Sequence, residues 1–185
     1  RQEPAQAGRN GGTRKRVDET LNIQLLDYNE SERADYMMVV ASMAGQDGAV
    51  TSEEVFAVRQ LSLHYLLGPD ARGRVMAAAA IPPDDLDGIL ERLSATNLRY
   101  SLLLDLAGMA YRDGVFTEAE AAEYNRVSQA LHVPENQAKA VLDFAGAVLN
   151  NKGKQVKLDE HTSTLEKAGI PTGVVSLSAI FMSAN

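Results

Sequence analysis

Two acidic segments with the same spacing are the part of this sequence best suited to bind a cation. MAGQDGAVTSEE spans residues 43–54, and MAYRDGVFTEAE spans residues 109–120, which is 66 positions further on. Each segment carries an Asp-Gly pair and a glutamate seven residues after the aspartate. Carboxylate oxygens are the ligands that hard cations such as Ca²⁺ and Mg²⁺ prefer. The acidic residues that the two segments share are Asp47 and Glu54 in the first, and Asp113 and Glu120 in the second.

Helix geometry accounts for most of the other residues in these segments. Gly48 and Gly114 can adopt a positive φ and end the incoming helix. Thr51 and Thr117 are good N-cap residues, and the glutamate three positions later completes a capping box in each copy. An aspartate before glycine is common in turns, but neither aspartate has a required structural role. The two aspartates are therefore the residues that most need a functional explanation.

The segments around the turns have the hydrophobic spacing of helices, with apolar residues at i, i+3, i+4 and i+7. In the two copies, 66 residues apart, these are Met37, Val40, Ala41 and Ala44, then Leu103, Leu106, Ala107 and Ala110. Prolines at 69 and 134 suit the start of a third helix in each copy, and alternation typical of strands is absent. We predict an all-α protein, a single helical-bundle domain built from a duplicated three-helix unit, with repeats at about 31–95 and 97–150.

The two ends of the chain differ from this body. Residues 1–17 are polar and basic, and we expect a flexible tail, or else an arm that orders on an acidic partner or a neighbouring subunit. The helical domain is expected to span residues 18–150. Residues 151–185 are expected to form a polar linker, a short helical extension and an apolar terminal segment that docks on the body.

The bulk composition excludes several function classes. The 185-residue chain has a formal net charge of −7, which disfavours general nucleic-acid binding. It has no cysteine, so neither a disulfide framework nor a thiolate metal site is possible. No run approaches the roughly 18 apolar residues of a membrane span, and the start lacks a signal-peptide segment. We therefore expect a cytoplasmic protein.

No arrangement of residues is typical of an enzyme. The sequence has no nucleophile elbow, phosphate-binding loop or dinucleotide-binding glycine pattern, and no His-Glu-x-x-His zinc helix. His64 and His132 precede the predicted helix breaks, where a histidine interacts favourably with the helix dipole. We expect a protein without catalytic residues.

The Asp-Gly segment matches only the second half of an EF-hand calcium loop. The first two ligand positions would be Met43 and Gly45 in one copy, and Met109 and Tyr111 in the other. None of these side chains offers a hard oxygen ligand, so a functioning EF-hand is not expected.

The segments VVASMAGQDGAVTSEEV and LLLDLAGMAYRDGVFTEAEAAEYNRVSQALHV resemble the TerB-like family, all-helical domains associated with tellurite resistance and metal stress. The shared feature is an Ala-x-x-Asp-Gly-x-apolar-x-x-x-Glu turn in two pseudosymmetric copies. The resemblance implies that acidic residues gather on one surface that binds metal or a partner. The residues it implies are Asp47, Glu54, Asp113 and Glu120, with Asp105 adding a carboxylate on the helix that enters the second turn.

The chain departs from the family beside each aspartate. Gln46 and Arg112 stand where the family often has a small residue. Arg112 could pair with Asp113 and neutralise part of the second turn.

Two hypotheses follow. The first is a non-enzymatic TerB-like module that binds a divalent cation (Ca²⁺ or Mg²⁺), a protein partner, or both through its acidic turns, in metal or tellurite stress. The alternative is a structural or adaptor subunit of a larger assembly. Its adhesive surfaces would be the basic tail and the apolar C-terminus, with the turns purely structural.

Overall fold

The protein is described by a computed structural model that covers residues 27–44, 50–111, 116–149 and 158–171. For residues 53, 54, 109 and 158–162 the backbone alone is described. Within these ranges the chain forms eight α-helices and no β-strand, so the all-α prediction is confirmed. In chain order the helices are α1 (Glu30–Ala44), α2 (Ser52–His64), α3 (Pro69–Ala80), α4 (Leu86–Ser94), α5 (Leu98–Tyr111), α6 (Glu118–Ala130), α7 (Glu135–Leu149) and α8 (Leu158–Lys167).

The first three helices and helices α5 to α7 are arranged in the same way. In the first set α1 packs against α3 and α2, and in the second set α5 packs against α7 and α6. Helix α4 contacts α1, α5 and α6, and α1 also contacts α5 directly. The bundle is therefore two similar three-helix sets joined through α4 and through the α1–α5 contact.

The turns that follow α2 and α6 have the same backbone geometry at an offset of 66 residues. Leu66 and His132 both adopt a positive φ, 56° and 52°. The next amide in each turn reaches back to a serine carbonyl, from Leu67 to Ser62 at 3.1 Å and from Val133 to Ser128 at 3.0 Å. This bonding is that of a Schellman motif, which satisfies carbonyls at a helix end. The duplication of the unit stays an interpretation of this correspondence.

Helix α1 is buried nearly all round, not along a single face. The predicted face of Met37, Val40, Ala41 and Ala44 is buried, but so are residues on the other sides, Asp35, Tyr36, Val39 and Ser42. The reason is that α1 contacts four other helices, α2, α3, α4 and α5. A helix in such a position is buried on every side and has no polar face.

The second half of the core is closed by α8. Leu165 and Ile170 are 1% and 3% exposed and belong to the main hydrophobic cluster. Helix α8 packs on α7, and Gln137 Nε2 donates a hydrogen bond of 3.0 Å to the carbonyl of Ala168. Ile170, the first residue of the predicted adhesive C-terminus, is thus packed inside the protein.

Other predictions about the ends fall outside the described ranges. The basic tail (residues 1–17), the polar linker before α8 and the apolar segment from residue 172 onward lie there, so these predictions are not tested. None of the described helices has both the length and the apolar character that crossing a membrane would require.

Candidate functional site

The structure describes two of the five candidate ligands fully. Asp47 and Asp113 lie outside the described residues, and so does the side chain of Glu54. Gly48, Gly114 and Arg112, which surround the aspartates, also lie outside. Whether the two turns meet in one site is therefore still a prediction. Glu120 and Asp105 can be placed in detail.

Glu120 forms the predicted capping box at the start of α6. Its Oε2 accepts hydrogen bonds from the Thr117 amide at 2.7 Å and from Thr117 Oγ1 at 2.8 Å. In return, the amide of Glu120 donates to Thr117 Oγ1 at 3.2 Å. Both bonds to Thr117 use Oε2 and not Oε1. The carboxylate is thus fixed at the positive end of the α6 dipole, seven residues after Asp113.

An aromatic pair holds together the two ends of the second Asp-Gly turn. Tyr111, the last residue of α5, stacks on Phe116 with ring centroids 5.2 Å apart and an interplanar angle of 16°. Gly146 on α7 gives the Tyr111 ring its space, because an added Cβ would lie 3.2 Å from Tyr111 Cζ. Sequence analysis did not identify this pair. The corresponding residues of the first copy are Gly45 and Val50, so the first turn lacks the aromatic clamp.

Asp105 lies in the interior of the bundle. It is 1% exposed and accepts a hydrogen bond from the hydroxyl of Tyr36, which belongs to α1. Tyr36 in turn stacks on Tyr65, with centroids 5.1 Å apart. Asp105 lies six residues before Tyr111, the end of α5, which is about 9 Å along the helix axis. The carboxylate therefore links α1 to α5 inside the core, away from the surface on which the family resemblance places acidic residues.

Other carboxylates are held in ion pairs between helices. Arg92 of α4 makes a two-bond contact with Asp35 of α1, at 2.9 Å from Nε and 3.1 Å from Nη2. The hydrogen bond that Arg92 donates to the Asp35 carboxylate raises the pKa of Arg92. His132 Nε2 lies 3.0 Å from Glu91 Oε2, a contact between the turn after α6 and helix α4 that sequence analysis missed. In the part of the chain with described side chains, no three acidic or histidine groups are positioned to hold a metal ion.

Comparison with known proteins gives one match. The family described as Tellurite resistance protein TerB matches residues 33–142, which is more than half of the 185-residue chain. The matched range contains both Asp-Gly segments and the helices from α1 into α7. Neither the curated proteins nor the solved structures that were searched give a match. The chain belongs to the TerB family.

Proposed function

We propose that this protein is a non-enzymatic TerB-type binding module. Its acidic surface at the two Asp-Gly turns binds a divalent cation (Ca²⁺ or Mg²⁺), a protein partner, or both, in the response to metal or tellurite stress. The ligands are Asp47, Glu54, Asp113 and Glu120. Asp105 is left out of this set because it is buried against Tyr36.

The position of Glu120 is the observation that carries the proposal. The capping box holds its carboxylate at the start of α6, and the Tyr111–Phe116 stack draws the end of α5 towards that point. A carboxylate fixed in advance loses little conformational freedom when it binds a ligand. Membership of the TerB family supports the same reading, because its domains are generally non-enzymatic and often serve as interaction modules.

Calorimetric titration of the full-length, metal-free protein with CaCl₂ and with MgCl₂ tests the cation part. The test variant is the double substitution Asp47→Asn and Asp113→Asn. The control is Asp143→Asn, since Asp143 is an exposed carboxylate paired with Lys139 in α7, outside the turns. We expect binding heat for the wild type and the control, and a loss of at least about tenfold in affinity for the double variant.

A wild-type protein that binds neither ion would refute the cation part. The partner part is tested by recovering partners with the same three proteins. A partner retained by Asp143→Asn and lost by the double variant is the expected result. Equal retention by all three would show that the aspartates are not part of a partner surface.

A further inference from the structure

A groove lies between α2 and α3, and unlike the acidic Asp-Gly turns it is basic and apolar. Its volume is about 420 Å³, and its walls are Arg59, Ser62, Leu63, Arg72, Gly73 and Met76. Leu63 is 50% exposed. Phe56, which lies beside the groove two helical turns before Leu63 on α2, is 63% exposed. Phe56, Arg59 and Leu63 are spaced i, i+3 and i+7, which places them on one side of the helix. The groove therefore has an apolar floor with arginine on both walls.

The corresponding three positions of the second helix set carry no large apolar side chain. Sixty-six residues after Phe56, Arg59 and Leu63, α6 carries Ala122, Asn125 and Gln129. All three are exposed. The two sets share their helix arrangement and turn geometry, so packing of the unit does not require an aromatic and a leucine at these surface positions. Exposed apolar side chains grouped at one groove are typical of an interaction site.

The charges of the groove select an acidic ligand. Arg59 is exposed and Arg72 is half-buried on the facing helix. Among the residues with described side chains, neither arginine has an ion-pair partner, in contrast to Arg92 and Arg126. Two arginines that face each other across an apolar groove, in a chain of net charge −7, are a local basic site. Arginine forms strong, directed hydrogen bonds with carboxylates.

Gly73 leaves one wall of the groove open. It lies inside α3, where glycine is less favourable than alanine. A Cβ placed there would meet nothing within 4 Å, so no contact inside the described protein demands a glycine. The missing side chain lets another chain approach the backbone of α3 closely.

We propose that the α2–α3 groove binds an amphipathic acidic helix of a partner protein. Phe56 and Leu63 are seven residues apart, about 10 Å along the axis, which matches the i to i+7 anchors of a helix laid in a groove. The partner's apolar residues contact Phe56, Leu63 and Met76, and its flanking carboxylates bind Arg59 and Arg72. This surface is basic and apolar, so it is separate from the acidic turns and does not depend on the function proposed for them.

The binding partner in the test is a designed, fluorescently labelled peptide of about 16 residues. It carries leucine at i, i+4 and i+7 and glutamate on both flanks. Binding to the full-length protein is followed by fluorescence anisotropy in the presence of EDTA. The comparison peptides are a scrambled sequence of the same composition and a version with lysine in place of glutamate. We expect the designed peptide to bind at least about tenfold more tightly than either comparison peptide.

Matched variants locate the binding site. Leu63→Asp and the pair Arg59→Ala with Arg72→Ala should each weaken binding about tenfold or more. The controls are Gln129→Asp and Asn125→Ala, at the corresponding positions of α6. The altered residues are exposed or half-buried, so circular dichroism should show unchanged helicity in every variant. The Asp47→Asn and Asp113→Asn protein should bind the peptide normally, which separates this proposal from the function of the turns.

Three results would overturn the proposal. The first is equal affinity for the designed and scrambled peptides. The second is an equal loss of binding in the α6 controls. The third is a protein that sediments as a dimer and becomes monomeric with Leu63→Asp, because the groove would then be occupied by a second copy of this chain.

Discussion

Replacing Glu120 separates its structural role from its proposed role as a ligand. Glu120→Ala removes the two hydrogen bonds that Oε2 accepts from Thr117, at 2.7 and 2.8 Å. The side chain is partly exposed, so water replaces much of what is lost and each bond contributes about 0.5 kcal/mol. Loss of a negative charge at the start of α6 costs about 0.3–0.5 kcal/mol more. We expect a total loss of about 1–1.5 kcal/mol in the free energy of unfolding.

Glu120→Gln should behave differently, because a glutamine oxygen can still complete the capping box. Only the charge is lost, so the expected cost is about 0.3–0.5 kcal/mol. Glu118→Gln and Glu118→Ala are matched controls, since Glu118 is in the same first turn but outside the capping box. Urea unfolding followed by circular dichroism at 222 nm measures all four variants. If Glu118→Ala costs as much as Glu120→Ala, the capping box does not contribute to stability.

Calcium titration of the same variants completes the experiment. Glu120→Gln should lose cation affinity although it stays nearly as stable as the wild type, while Glu118→Gln should retain it. Unchanged affinity in Glu120→Gln would remove Glu120 from the proposed ligands and leave it as a helix cap alone.

Three further perturbations test the framework of the fold. Leu66→Gly should raise the free energy of unfolding by up to about 1 kcal/mol, because a positive φ of 56° strains leucine and suits glycine. An unchanged midpoint of urea unfolding would contradict this prediction. Arg92→Ala should lower the free energy of unfolding by about 1–2 kcal/mol, because the Asp35 carboxylate, whose side chain is 11% exposed, loses its charged partner. A double-mutant cycle with Asp35→Asn measures the coupling between the two residues. An additive result would show that the pair is unimportant for stability. Burial raises the pKa of Tyr65 and of Tyr124 above the ordinary value of 10.0. Their contribution to stability is therefore fully present below pH 10 and decreases as the pH rises above it. Absorbance at 295 nm, followed with the unfolding free energy from pH 9 to 12, should show these two tyrosines ionising only as the protein unfolds.

The features that could be predicted from the sequence are those decided by nearby residues. The spacing of Met37, Val40 and Ala41 identifies a helix because three or four residues make one turn. Thr117 and Glu120 predict a capping box because donor and acceptor are three residues apart. In each case the residues involved lie within one or two helical turns of each other, so their spacing in the sequence is enough to predict the structure.

The features that were missed depend on contacts between distant segments. Nothing near Asp105 indicates that its partner is Tyr36, 69 residues away. The sequence therefore led to Asp105 being grouped with the acidic residues of the second turn. In the same way, Asp35 is buried in α1 because Arg92 reaches it from α4. A buried charge is stable only with such a partner, and a pattern of apolar residues does not reveal which partner that is.

The two helix sets share a backbone plan but differ in the side chains they add to it. In the second set, Tyr111 and Phe116 stack across the Asp-Gly turn, and the exposed face of α6 carries Ala122, Asn125 and Gln129, none of them a large apolar residue. In the first set the turn has no aromatic pair, and the exposed face of α2 carries Phe56 and Leu63 beside a groove. The backbone plan that the two sets share does not require either kind of exposed side chain. The second set is the better candidate for a rigid cation site, and the first for a surface that receives another protein.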